Sequence, residues 1–244
     1  MSAEPLLRCG DRLVFLGDSI TADPEGYVSV CAAVLSRAYP RAGIEVLNAG
    51  RPGETAAAMA CRFERDVLAH RPSWVAISAG ANDAALAAAG GALDEGLDAT
   101  EAAIARMCAA AESAGVRVAL CTPTAFEDHW QGPAGEANAF CAALTERLTE
   151  LAAARGYVLV PMFEMCRRFH EAGGAVLPSP ASPQGRATLR LRSGLAESAS
   201  CCDRRHRLTT DGVHMAPQGR CLMTFTMLAA LHVGAGVLDR EGSG

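Results

Sequence analysis

Short apolar runs alternate along the chain with longer stretches whose apolar positions recur at helical spacing. Leu13–Leu16 (LVFL), Ile44–Leu47 (IEVL), Trp74–Ser78 (WVAIS), Val116–Cys121 and Tyr157–Val160 have the length and β-branched content of buried strands. Between them lie helical patterns. Tyr27–Tyr39 places Val30, Val34 and Leu35 on one face and meets Pro40. Glu54–His70 is stopped by Pro72, Asp94–Ala114 by Gly115, and Glu136–Arg155 by Gly156. Met162–Ala172 is shorter, and Ala216–Leu231 carries Pro217 in its first turn.

Parallel strands need crossover connections, so this alternation predicts an α/β fold: a five-stranded parallel sheet with helices on both faces. Ligands in such folds bind beyond the carboxyl ends of the strands, which makes the loops after each strand the place to look for chemistry. Residues 173–210 break the rhythm with many Gly, Pro and Ser and with Arg186, Arg190, Arg192, Arg204, Arg205 and Arg207. A loop of that length is functional or disordered. It reads either as a lid that attracts an anionic substrate or as a solvated segment. A chain of 244 residues without an internal repeat is expected to form one domain, 1–244, carrying this irregular insertion.

Composition removes several classes of function. The net charge is −5, which gives no reason to expect nucleic-acid binding. All 22 Lys+Arg residues are arginine. Schiff-base chemistry, a Ser–Lys dyad and a phosphate-loop lysine are thereby excluded, since each needs an amine. No apolar stretch approaches the roughly 20 residues of a membrane span, and the first residues lack the charged and apolar regions of a signal peptide. The expected location is cytoplasmic, where the ten cysteines would stay reduced. None forms a C-x-x-C motif, and most sit in apolar contexts as small hydrophobes. The cluster Cys201, Cys202, Asp203 and His206 is a poor metal site because adjacent cysteines do not easily share one tetrahedral ion. No metal or cofactor is expected.

Four segments fall at strand ends or before the last helix. Gly17-Asp18-Ser19-Ile20 follows the first strand, and a serine at such a turn projects its hydroxyl into the crevice. Asn48-Ala49-Gly50-Arg51-Pro52-Gly53-Glu54-Thr55 follows the second, where glycines let backbone N–H groups approach a ligand. Gly80-Ala81-Asn82-Asp83 follows the third; its asparagine offers a neutral donor or a helix cap. Asp211-Gly212-Val213-His214 places a carboxylate within a local turn of an imidazole, an arrangement that leaves Nε2 free to accept a serine proton. The same D-x-x-H spacing occurs at Asp203 and His206, but inside the irregular insertion and with no helix start behind it. His70, His129, His170 and His232 have no such neighbour and are assigned to surface or core.

Taken together, the four segments resemble the blocks of the SGNH hydrolase superfamily, the GDSL esterases, from about Leu13 to Leu231. The order Ser, Gly, Asn, then Asp-x-x-His is kept, and His214-Met215-Ala216-Pro217-Gln218-Gly219 is similar to the family's tail. The chain departs at Ala81 and Met215, neither of which would meet a reacting atom. The resemblance implies a three-layer α/β/α, flavodoxin-like fold. It also implies Ser19 as nucleophile, His214 as base and Asp211 as the orienting acid. The oxyanion hole would comprise the N–H of Ser19, the N–H of Gly53 and the amide of Asn82. Asp18 and Trp130 are expected at the substrate; Trp130, in a loop with Phe126, Asp128 and His129, would stack on a sugar or serve structure alone.

The expected function is hydrolysis of short-chain esters, foremost acetyl esters of small molecules such as acetylated sugars. An acyltransferase using the same triad, or a binding protein that keeps the fold, are the rivals. A nucleotide-binding α/β protein fits less well, since G-x-G-x-x-G is missing after the first strand.

Overall fold

The computed structural model describes residues 6–90, 93–126, 132–171 and 208–234, with backbone only for 132–134. Five strands form one sheet: β1 Arg12–Gly17, β2 Glu45–Gly50, β3 Trp74–Ser78, β4 Arg117–Cys121 and β5 Val158–Val160. All pairings are parallel, in the order β2-β1-β3-β4-β5. This is the flavodoxin-like order, and the chain reverses its direction of travel across the sheet at β1. Gly17, the last residue of β1, is in register with Gly50 on one side and Ser78 on the other. Whatever follows Gly17 therefore stands at the crevice between β2 and β3.

The helices are α1 Ser19–Ala22, α2 Tyr27–Ala38, α3 Ala56–Asp66, α4 Ala81–Gly90, α5 Leu93–Ser113, α6 Gly132–Arg155, α7 Met162–Glu171 and α8 Pro217–Ala230. Strand side chains alternate between two buried layers, as a covered parallel sheet requires. Val14, Leu16, Val75, Ile77, Val118 and Leu120 face α3, α4, α5 and α6. Leu13, Phe15, Trp74, Ala76, Ala119 and Cys121 face α2 and α8 through Tyr27, Cys31, Leu35, Met223 and Met227. The result is three layers, α/β/α.

Most expected elements lie within two residues of their observed bounds, and the differences have physical causes. Strand β2 continues through Asn48 and Ala49 to Gly50, beyond the apolar run that predicts it. It is an edge strand with no fully buried position, so its apolar run ends before its backbone pairing does. The helix expected over Glu54–His70 starts instead at Ala56, capped by Thr55, and breaks at Val67 into a 3-10 turn over Leu68–His70. Helix α4 was foreshadowed only by the reading of Asn82 as a helix cap. Its sequence, ANDAALAAAG, is nearly uniform in alanine and shows no apolar period, although alanine is the best helix former. Most of the 173–210 insertion lies outside the described residues.

Candidate active site

Ser19 begins the single-turn helix α1 at the carboxyl end of β1. Its position is set from three sides. Asp18 caps the turn, its Oδ1 accepting the Ile20 N–H at 2.9 Å. Thr21 is fully buried, its hydroxyl 3.1 Å from that of Tyr27. The amide of Asn48 donates to the Thr21 carbonyl at 2.7 Å and so ties α1 to β2. Gly50 makes that close approach feasible: a Cβ there would lie 2.3 Å from the Ala22 nitrogen.

His214 arrives from the far end of the chain, on the loop before α8. Its Nε2 is 3.0 Å from Ser19 Oγ, and its Nδ1 is 2.6 Å from Asp211 Oδ2. The other carboxylate oxygen of Asp211 accepts the N–H groups of Val213 and His214 at 3.0 and 2.7 Å. One aspartate thus shapes the turn and orients the ring. The loop is closed by an isolated bridge between Thr209 and Met215, and the Thr209 hydroxyl accepts the Gly212 N–H at 3.0 Å. The Ala216 N–H donates to the Leu208 carbonyl at 2.8 Å. Gly219 packs so tightly on this closure that a Cβ would fall 2.1 Å from the Leu208 oxygen. That contact explains a glycine five residues after the histidine.

Partial desolvation would raise the Asp211 carboxyl, but hydrogen bonds from the His214 ring and from the His214 and Val213 N–H groups outweigh it and hold the group below its usual range. It stays ionised opposite the imidazole. Asp211 and His214 side chains are each 52% exposed, so water reaches the pair.

Gly53 follows β2 with φ of +76°, in the left-handed region that favours glycine. Asn82, second residue of α4, reaches this loop: its Nδ2 donates to the Glu54 carbonyl at 3.0 Å and stands 3.5 Å from Asp18 Oδ2. Ser19, Gly53, Asn82, Asp211 and His214 therefore gather at one end of the sheet. Asp18 does not line an open surface. It is 5% exposed, with both oxygens directed at Ile20 and Asn82, which corrects the expectation that it meets substrate. Burial pushes its carboxyl up to about 6, partly offset by the Ile20 N–H and the nearby His214. Trp130 lies outside the described residues, as do His129, Asp203 and His206.

Two residues not anticipated from the sequence hold the segment from Gly53 to Ala56. Arg62 has a side chain only 4% exposed; it pairs with Glu54 at 2.6 Å and Asp66 at 3.2 Å. It also donates to the Gly17 carbonyl at 3.4 Å, so it links the loop to the end of β1. Its signal was an arginine on the apolar face of α3, beside Met59 and Phe63. Asp83 accepts the Ala56 N–H through both oxygens at 3.2 and 3.1 Å and the Thr100 hydroxyl at 3.0 Å, so it fastens α4 to the start of α3. Burial raises its carboxyl above the usual range. No feature of the sequence distinguishes it from an ordinary helix-start aspartate. Among the described residues no three His, Cys, Asp or Glu side chains are grouped to hold a metal ion, and no helix is long and apolar enough to cross a membrane.

The chain is similar to several known proteins, to different extents. Over 88 residues the chain is 41% identical to an acetylxylan esterase of Geobacillus stearothermophilus; the match spans 30% of this chain and 40% of that protein's length. The crystal structure of Axe2, an acetylxylan esterase from Geobacillus stearothermophilus, superposes with a TM-score of 0.70 at 23% identity, over 96% of this chain and 99% of that one. LAE5, an alpha/beta hydrolase enzyme from the metagenome of Lake Arreo, Spain, gives 0.66 at 19% identity, over 93% and 98%. The sequence model of the GDSL-like lipase/acylhydrolase family matches residues 15–184. That match spans well over half the chain, and the protein belongs to the GDSL-like lipase/acylhydrolase family.

Proposed function

We propose that the protein is a serine ester hydrolase that removes short acyl groups, foremost acetyl, through an acyl-enzyme on Ser19. The observation that carries this reading is the continuous chain Asp211 Oδ2, His214 Nδ1, His214 Nε2, Ser19 Oγ, with links of 2.6 and 3.0 Å. Within it, Asp211 keeps the Nδ1 proton in place and Nε2 is the acceptor. As the Ser19 oxygen attacks the ester carbonyl, its proton passes to Nε2. The carbonyl oxygen gains negative charge, and N–H donors aimed at it stabilise that charge by roughly 3–4 kcal/mol each. We assign them to the N–H groups of Ser19 and Gly53 and to Asn82. The Asn82 amide keeps one proton on Glu54, and the longer contact to Asp18 is the one given up to the oxyanion. The protonated His214 then hands its proton to the departing alkoxide, and water repeats the sequence to release the acid.

The half-exposed Asp211–His214 pair favours hydrolysis over transfer, since water can reach the acyl-enzyme without a second binding site. Acetylated xylo-oligosaccharides head the list of substrates because the segment of 41% identity comes from an acetylxylan esterase. The test is a panel of p-nitrophenyl esters of increasing acyl length together with acetylated xylo-oligosaccharides. The acetyl ester should be cleaved best, and Ser19→Ala should lose at least about 10³-fold in kcat/KM. Equal turnover by wild type and variant would remove Ser19 from the mechanism.

A further inference from the structure

The Ser19–His214 contact joins two segments that no strand pairing connects: the α1 turn and the loop before α8. One side chain spans them. Arg220, in the first turns of α8, directs Nε to the Met215 carbonyl at 3.1 Å. Its Nη2 lies 2.9 Å from Asp23 Oδ2, and its Nη1 donates to Glu25 at 3.2 Å. Met215 follows His214 directly and is buried. Asp23 ends α1, and its N–H donates to the Ser19 carbonyl at 3.1 Å. Its Oδ1 accepts the Glu25 N–H at 2.9 Å, which turns the carboxylate toward the arginine.

A path of hydrogen bonds thus runs from the backbone of Ser19 through Asp23 and Arg220 to the residue beside His214. The Arg220 and Asp23 side chains are 18% and 25% exposed, so this contact is better shielded than a surface pair; Glu25, at 78%, adds little. The planar guanidinium matters. It meets a carbonyl with one nitrogen and a carboxylate with another at fixed mutual angle, which a flexible ammonium cannot do.

We infer that Arg220 is a positioning residue for acyl transfer: it sets the separation and angle between Ser19 Oγ and His214 Nε2 by clamping Asp23 to Met215. The inference rests on the acyl-enzyme reading above. Misplacement of reacting groups by about 1 Å can cost 10²-fold in rate, whereas loss of an ordinary ion pair at this exposure alters stability alone.

The experiment compares Arg220→Gln, Arg220→Lys, Asp23→Asn and the double variant Asp23→Asn/Arg220→Gln with wild type. It reads kcat and KM for p-nitrophenyl acetate, the rate at which a fluorophosphonate labels Ser19, and Tm. Arg220→Gln should lower kcat and the labelling rate in parallel, by about 10- to 100-fold, with KM within about threefold. Arg220→Lys should recover only part of the loss. The double variant should lose less than the product of the single losses, because both singles break one shared contact. If Arg220→Gln does not fold, Arg220→Lys and Asp23→Asn carry the same measurements. The role is overturned by a soluble Arg220→Gln whose kcat stays within about threefold of wild type, by a loss confined to KM, or by a loss that equals the unfolded fraction. A wild-type Ser19 that takes no phosphonate and cleaves no acetyl ester overturns the acyl-enzyme reading, and the role of Arg220 falls with it. A reactive wild type with unaffected variants overturns Arg220 alone.

Discussion

The Nε2 of His214 stands 3.0 Å from Ser19 Oγ, although 195 residues separate them in the chain. That distance is within reach for proton transfer before any substrate binds. The ring is held there by Asp211, whose two oxygens grip its Nδ1 and its backbone N–H. Asp211→Asn should therefore act through the ring's tautomer. An asparagine amide can donate to Nδ1 and shift the imidazole proton to Nε2, where it blocks acceptance from serine. We expect kcat for p-nitrophenyl acetate to fall by about 10²–10⁴ with KM little changed. Wild-type kcat in a folded Asp211→Asn protein would show that the carboxylate has no part in the reaction.

Asn82 links two parts of the site, the Glu54 carbonyl and the Asp18 carboxylate. If its amide stabilises charge only as the ester carbonyl is attacked, Asn82→Ala should cost about 10²–10³ in kcat and leave KM almost unchanged. Asn82→Asp should be at least as damaging, since a second carboxylate would then face Asp18 and the developing oxyanion. A rise in KM with kcat intact would instead make Asn82 a ground-state binding residue.

Much of the candidate site was legible in the sequence because Ser19, Asp211 and His214 sit on short turns with local signatures. The D-x-x-H turn closes within four residues, and Ser19 follows a strand made visible by LVFL. The supporting groups were hidden for the opposite reason. Arg62 meets Gly17, and Arg220 meets Asp23, only after distant segments have packed, so spacing along the chain carries no trace of either contact. Helix α4 left little periodic signal because its buried residues, Ala81, Ala84 and Ala87, are alanines like most of its other positions, so no apolar contrast marks a period. Asp18 was expected at the substrate because it adjoins Ser19 in the chain; only the folded cap shows its oxygens turned toward Ile20 and Asn82.

The buried Asp18 gives a pH dependence of stability with a definite sign. Its carboxyl is raised from 3.8 to about 6 in the folded protein, chiefly by burial. Between those values the unfolded chain releases this proton while the folded protein keeps it. Stability is thus lost as pH rises from about 4 to 6, by roughly 3 kcal/mol at most, and no further loss comes from Asp18 above that interval. Asp18→Asn can still accept the Ile20 N–H but cannot ionise. The Tm of the variant minus that of wild type should therefore be more positive at pH 7 than at pH 4. Contributions from other carboxylates cancel in this difference, so an identical value at the two pH values would contradict the burial argument.

Arg62 and Arg147 offer a matched pair for asking how much burial matters to an ion pair in this fold. Each arginine meets two carboxylates: Arg62 meets Glu54 and Asp66, and Arg147 meets Asp98 and Glu101. The Arg62 side chain is 4% exposed and the Arg147 side chain 35%. Arg62→Ala would leave Glu54 partly buried with its nearest positive charge gone, while Asp66 retains Arg51 and Arg65. Stranding one member of a buried pair costs about 3 kcal/mol, and breaking an exposed pair less than about 1 kcal/mol. Urea unfolding should thus place Arg62→Ala well below Arg147→Ala. Because Arg62 also ties the Glu54 loop to the Gly17 carbonyl, its loss should lower kcat in the folded fraction, which Arg147→Ala should not do. Equal stability and equal turnover of the two variants would mean that solvent screens Arg62 as fully as it screens Arg147, and that the loop bearing Gly53 keeps its place without the arginine beneath it.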